Sequence, residues 1–227
     1  MAYLAHRQSE VGQKQLDADR LALQFCRKVG ELARLKTERV ESKTGRAYTP
    51  VQIERIAARQ AEHNGLATRI AYNAGLRAHE LKTIRPADQG VPATHRAWRP
   101  DRFLGRTGER YLVTGKGGLV REVLLAHELA RALEARRLDE PIPVTDRSLS
   151  YKAYYDIGGG AAWSQSVSST SKRAFGWSTG AHGVRHTYVQ ERLRELQGRG
   201  YTYPVAKLVV SEELGHFRED VINNYLR

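Results

Sequence analysis

Four short patterns in this 227-residue chain gather side chains able to bind anions, transfer protons and act as nucleophiles. They are Gly75-Leu76-Arg77-Ala78-His79-Glu80-Leu81, Lys116 within Gly115-Lys116-Gly117-Gly118, His182-Gly183-Val184-Arg185-His186, and Leu214-Gly215-His216 followed nine residues later by Tyr225. Simpler chemistries fail on spacing. Lys116 lacks the Gly-x-x-x-x-Gly-Lys-Ser/Thr pattern of a nucleotide-binding loop. His182 and His186 stand four apart, as zinc ligands on one helix would, but the glutamate of His-Glu-x-x-His is missing and Arg185 would repel a cation. The single cysteine, Cys26, rules out an intramolecular disulfide and a Cys-rich zinc site, so no metal is expected. Taken singly, Arg77 is one more surface arginine, Lys116 a solvated turn residue, and Tyr225 one of 11 tyrosines. Glu80 reads as a partner that orients an arginine. The order of the patterns along the chain is what gives them meaning.

The elements that would position these residues are mostly helices. Residues 10–42 read as one or two helices with a thin apolar stripe (Leu16, Leu21, Leu23, Phe25, Leu32, Leu35), and Ser42 to Tyr48 as an exposed linker. Thr49, Pro50 and Gln52 form a capping box that starts a helix burying Val51, Ile53, Ile56 and Ala57, with Asn64-Gly65 as its stop. Leu66–Ala74 and Leu76–Ile84 read as two further helices, and 89–109 as loop. Two β-prone runs, Tyr111–Thr114 and Leu119–Leu125, flank the Lys116 turn as a hairpin. Ala126–Leu138 reads as a helix ended by Pro141 and Pro143. Trp163–Phe175, His186–Leu196, Val205–Leu214 and Asp220–Leu226 complete the helical set. The expected fold class is mainly α with a small antiparallel β-sheet.

Charge narrows the partners. Lys and Arg total 37 against 25 Asp and Glu, a formal net charge of +12. The last 40 residues carry six of each sign, so the whole excess lies before residue 188, and 75–121 alone hold ten basic against four acidic side chains. An excess of this size points to a polyanion. Membrane-surface binding would place the cations on one face of an amphipathic helix. Here Arg96, Arg99, Arg102, Arg106 and Arg110 lie in loop and strand-like sequence, which favours nucleic acid over a membrane. With 41% hydrophobic and 27% charged residues, a globular protein is expected. No apolar leader or membrane-length run occurs, so a soluble, cytoplasmic protein is expected.

From Tyr48 to the C-terminus, the ordered set of Arg77, Lys116, His182, Arg185, His216 and Tyr225 resembles the tyrosine recombinases, the phage-integrase family of site-specific DNA recombinases. The resemblance implies their catalytic-domain fold and strand cleavage through a 3′-phosphotyrosyl intermediate without metal, ATP or any other cofactor. Tyr225 would be the nucleophile, Arg77 and Arg185 the phosphate clamps, and Lys116 the donor to the departing 5′-oxygen. His182 would be the acid–base partner and His216 a second phosphate contact. Arg96, Arg99, Arg102, Arg106, Arg121, Lys172 and Arg173 are the candidate DNA contacts. Residues 1–47 would be the remnant of a helical core-binding domain, truncated or abbreviated, and 48–227 the catalytic domain. Two intervals look stretched: 89–105, which leaves Arg121 as the substitute for Lys116, and Gly198–Tyr203. Homo-tetramers on DNA are the family's working state, and the short run past Tyr225 bears on whether this chain forms them. A DNA-binding regulator on the same fold and a type IB topoisomerase-like enzyme are the alternatives.

Overall fold

The computed structural model describes residues 2–38 and 45–226, in two units, Met1–Thr44 and Gly45–Arg227. In the first unit, α1 (Ala2–Glu10) and α2 (Gln13–Arg27) bury Leu4 and Leu16. Lys28 then takes φ +49°, and residues 29–38 run back beside the helices without helical geometry. Thr37 Oγ1 donates to the Val11 carbonyl (2.6 Å), Gln8 Nε2 to the Lys36 carbonyl (2.8 Å), and Arg34 forks onto Asp17. Among the described residues, the helical reading of 10–42 therefore holds only as far as Arg27. Of the expected apolar stripe, Leu16 is buried while Leu21 and Phe25 face solvent. Residues 39–44, the end of that stretch and the start of the expected linker, lie outside the described residues.

The second unit opens with α3 (Pro50–Ala57), capped as its sequence demands. Thr49 Oγ1 accepts from the Gln52 amide while Gln52 Oε1 accepts from the Thr49 amide. Ile53, Ile56 and Ala57 are buried, but Val51 lies on the solvent side, 70% exposed. Asn64-Gly65 does not stop a helix. Both sit inside α4 (Glu62–Ala74), and a Cβ on Gly65 would come within 2.6 Å of the Ala57 carbonyl oxygen, so the glycine permits close approach of α3 and α4. Gly75 ends α4 with φ +61°. The expected helix over 76–84 shrinks to the single turn α5 (Glu80–Thr83), because residues 77–79 form a turn.

β1 (Arg85–Pro86), β2 (Glu109–Thr114) and β3 (Val120–Leu125) make an antiparallel sheet in that order, with Val113 opposite Arg121. The expected hairpin is therefore present, with Lys116–Gly118 as a 3-10 turn at its tip. After α6 (His127–Glu134) comes a second sheet that the sequence reading missed: β4 (Arg137–Asp146) and β5 (Leu149–Tyr155). Pro141 and Pro143 lie in β4 instead of ending a helix. A two-stranded sheet has only edge strands, where a residue without an N–H is tolerated, and the register shifts between Arg137 and Ile142. α7 (Gly160–Phe175), α8 (Ala181–Gly198), α9 (Tyr203–Glu213) and a 3-10 helix over Glu219–Tyr225 finish the unit. The class is mainly α, with two small antiparallel sheets instead of one.

Ile53, Ile56, Ile70, Val113, Val123 and Trp163 belong to one buried cluster, and Val189, Leu196, Val209, Val210 and Ile222 to another. α8 contributes to both. Arg185 and Arg192 on this helix are consequently 1% and 0% exposed. Guanidinium groups that deep require matched partners, and those partners define the site.

Candidate active site

Three segments converge on one buried carboxylate. Gly75 is fixed by geometry: at φ +61° an added Cβ would also come within 2.5 Å of the Tyr188 ring. The chain leaves α4 there and sets Arg77 beside Glu80, whose Oε2 accepts from the Arg77 amide (2.8 Å) and Oε1 from Arg77 Nη1 (3.1 Å). From β3, whose alternation turns residues 121, 123 and 125 inward, Arg121 Nη2 reaches Glu80 Oε2 at 2.9 Å. From α8, Arg185 Nη1 lies 3.4 Å from the same oxygen and also donates to the Gly75 carbonyl.

The C-terminal segments complete the cluster. α9 ends at Glu213, and Gly215 (φ +74°) turns the chain so that His216 faces the arginines. Arg77 Nη2 lies 2.8 Å and Arg185 Nη2 3.3 Å from His216 Nε2. A guanidinium can only donate, so Nε2 is the acceptor and the proton of the neutral ring sits on Nδ1. Tyr225 Oη lies 3.3 Å from both His216 Nε2 and Arg185 Nε. His182, one turn before Arg185 on α8, lines with Arg77 and Arg185 a cleft of about 100 Å³.

The electrostatics of the cluster favour an anion. Three guanidiniums face one carboxylate. Burial alone would raise the Glu80 pKa, but Arg121, Arg185 and Arg77 outweigh it and hold the group down at about 2. Burial, then Arg185 and Arg77, push His216 down to about 3, and the same three causes lower His182. Both rings are neutral at pH 7. Burial and the neighbouring Arg185 also work against the charge on Arg77. An entering anion would relieve that crowding.

The sequence matches no protein-family model and no curated protein sequence. By structure it is similar to the XerH site-specific recombinase. It aligns with that protein's post-cleavage complex on palindromic difH substrate at TM-score 0.58 and 14% identity, and with its pre-cleavage complex on difH at 0.56 and 16%. Both alignments cover 100% of this chain and 65% of the other, so the chain spans about two thirds of that recombinase's length. This is the tyrosine-recombinase fold.

Within the recombinase fold, Arg77, Arg185, His216 and Tyr225 meet directly, and His182 borders the cleft they share. Lys116 sits exposed in its hairpin turn. Arg96, Lys172 and Arg173 are exposed. Arg99, Arg102 and Arg106 are instead paired with Asp101, Glu122 and Glu195. Arg121 departs furthest from expectation. It is 1% exposed, placed neither to touch DNA nor to replace Lys116, because its strand faces the core.

Sequence reasoning missed what Arg121 does. Its Nη1 donates to the Glu213 carbonyl (2.7 Å), so it ties the Glu80 carboxylate to the end of α9, just ahead of His216. Glu213 is itself buried against Arg192 and Tyr188 and accepts the Phe103 amide at 2.8 Å. The long 89–109 loop thus braces the end of α9, with Trp98 packed on Phe217 at 4.7 Å between ring centres. A charged residue in phase with Val123 and Leu125 was the signal available for Arg121. Nothing local announced Glu213.

Proposed function

We propose that this chain is a site-specific DNA recombinase that cuts and rejoins strands through a 3′-phosphotyrosyl intermediate, with double-stranded DNA as substrate. The observation that carries the reading is Tyr225 Oη, 3.3 Å from both Arg185 and His216, beside a cluster of three guanidiniums and one carboxylate. In the reaction, the scissile phosphate takes the donors that Arg77 and Arg185 now share with His216, and the two arginines hold its non-bridging oxygens. Tyr225 Oη attacks phosphorus and the bond to the 5′-oxygen breaks. Neutral His182 takes the phenolic proton, and Lys116 supplies one to the departing oxygen. The phosphotyrosyl ester retains the bond energy, so the free 5′-hydroxyl of a partner strand reverses the step without ATP.

The similar recombinase structures are complexes with difH substrate before and after cleavage, which suits a DNA partner here. Residues 1–47 are read as belonging to a core-binding clamp and 48–227 as the catalytic domain. Assembly is read as a homo-tetramer on paired sites, and the setting as a mobile element in a prokaryotic or phage cytoplasm. No helix among the described residues is long and apolar enough to cross a membrane.

The test is a suicide substrate. Nicked duplexes from candidate attachment sites are incubated with the chain without metal or ATP and resolved on a denaturing gel. A covalent protein–DNA band that vanishes in Tyr225→Phe is expected. A band that survives in Tyr225→Phe rejects the nucleophile. Salt-sensitive duplex binding with no band at all indicates a binding protein on this fold.

A further inference from the structure

The cleft bordered by Arg77, His182 and Arg185 has a third cationic wall, Arg147, which comes from the sheet that the sequence did not announce. Asp146 pairs with Leu149 across the β4–β5 ladder, so the closing loop is two residues, Arg147 and Ser148, with φ +49° and +64°. Positive φ at both positions is the type I′ requirement, for which Asn-Gly is the easy choice. An arginine held where a smaller residue fits better points to a use for its side chain. The turn is also anchored. Asp146 Oδ1 accepts from the Ala161 amide at 2.8 Å, and Gly160 leaves room for that carboxylate, since a Cβ there would lie 2.6 Å from Asp146 Cγ. Ser164, one turn further along α7, lines the same cleft. Arg77 and Arg185 share their donors with Glu80 and His216, whereas the exposed Arg147 makes no hydrogen bond or ion pair with a described residue.

We propose that Arg147 is a third phosphate-binding guanidinium, delivered by the β4–β5 turn to a non-bridging oxygen of the phosphodiester held by Arg77 and Arg185. The identity of that phosphate rests on the recombinase reading above. The hairpin then serves as an arm that closes the cleft, and Asp146 as its anchor on α7.

The experiment compares the wild-type chain, Arg147→Ala and Arg147→Asn on a nicked suicide duplex. Asparagine tolerates the left-handed turn, so a deficit caused by the turn would be repaired in Arg147→Asn, and one caused by the lost charge would not. Both variants are expected to form covalent adduct about 100- to 1,000-fold more slowly, in line with the loss of one preorganised donor. On a duplex with a neutral methylphosphonate at the scissile position the deficit is expected to disappear, because no charge is left to hold. Wild-type rates in both variants, repair by asparagine, or an equal deficit on the methylphosphonate would overturn the proposal. A second arm needs no cleavage: inorganic phosphate titrated into Tyr225→Phe and into Tyr225→Phe/Arg147→Asn at low salt, followed by ³¹P NMR. Weaker binding in the double variant is expected, and equal binding rejects Arg147. Absence of any wild-type adduct would sink the recombinase reading, and this phosphate arm would still decide Arg147.

Discussion

Glu80 determines whether three arginines can share one pocket. Its carboxylate, 0% exposed, meets Arg77, Arg121 and Arg185 together. Glu80→Gln keeps the shape and removes the charge, leaving buried guanidiniums uncompensated, so unfolding free energy in urea should fall by about 3–5 kcal/mol. The pH dependence has a definite sign. The Glu80 pKa is depressed to about 2 from the ordinary carboxylate value near 4.5, so its contribution is complete above about pH 4.5 and lost as pH falls toward 2. His216 is depressed to about 3, so the unfolded chain takes up a proton below about pH 6.5 that the folded chain refuses. Both groups make stability fall with acidification, His216 first. Urea midpoints at pH 7, 5 and 3 should decrease in that order, and the fall between 5 and 3 should shrink in Glu80→Gln. A midpoint that rises with acid would contradict both assignments. NMR titration of the His216 ring should give a pKa far below the usual imidazole value in the free protein. DNA binding should raise it, because the incoming phosphate offsets Arg77 and Arg185.

At the scale of elements, α8 is positioned by the strand of chain ahead of α3. Tyr48 stacks on Trp177 (5.5 Å between ring centres), its hydroxyl accepts the Thr179 amide, and its carbonyl accepts from Thr187 Oγ1. Gly183 lies beneath it, and a Cβ there would approach Tyr48 Cε2 to 2.5 Å and the Arg46 carbonyl to 2.7 Å. Helix propensity favours Gly183→Ala by about 1 kcal/mol, but the overlap with backbone and ring costs about 1–3 kcal/mol. The overlap should win. A lower Tm and slower cleavage are expected, since His182 and Arg185 flank this position, and a higher Tm would show that Tyr48 can move aside. These elements also show which features were legible in the sequence. The Thr49–Gln52 capping box and the Lys116 hairpin could be read because each is written within a few neighbouring residues. The order of reactive types could be read because the chain carries it directly. The β4–β5 hairpin was hidden by prolines that an edge strand tolerates, and by a turn made of Arg147-Ser148 instead of Asn-Gly. The start of α8 at Ala181 was hidden because Gly183 is required by a tyrosine 135 positions away. The partnership of Arg121 with Glu80 and the Glu213 carbonyl joins three distant segments, and no local pattern encodes it.

For the whole molecule, a net charge of +12 overstates what DNA would meet. Arg99, Arg102 and Arg106 are matched by Asp101, Glu122 and Glu195, and Arg121 is buried on Glu80. Arg96, Lys116, Arg147, Lys172 and Arg173 remain exposed without an ion pair among the described residues. If Arg96, Lys172 and Arg173 carry the phosphate contacts outside the catalytic cluster, they should together contribute about 2.7 to the slope of log Kd against log salt concentration, near 0.9 for each contact. Removing Lys172 or Arg173 should lower the slope by about one contact while weakening all duplexes alike, because phosphate contacts carry no sequence information. Arg102→Ala tests the converse. Its guanidinium stacks on Trp98 at 4.5 Å and pairs with Glu122, so its loss should loosen the 89–109 loop and leave the salt slope unchanged. Fluorescence anisotropy on one duplex between 50 and about 300 mM salt separates the two kinds of arginine. A slope that drops equally in Arg102→Ala and Arg173→Ala would mean that the internal ion pairs open on DNA and that the paired arginines rejoin the binding surface.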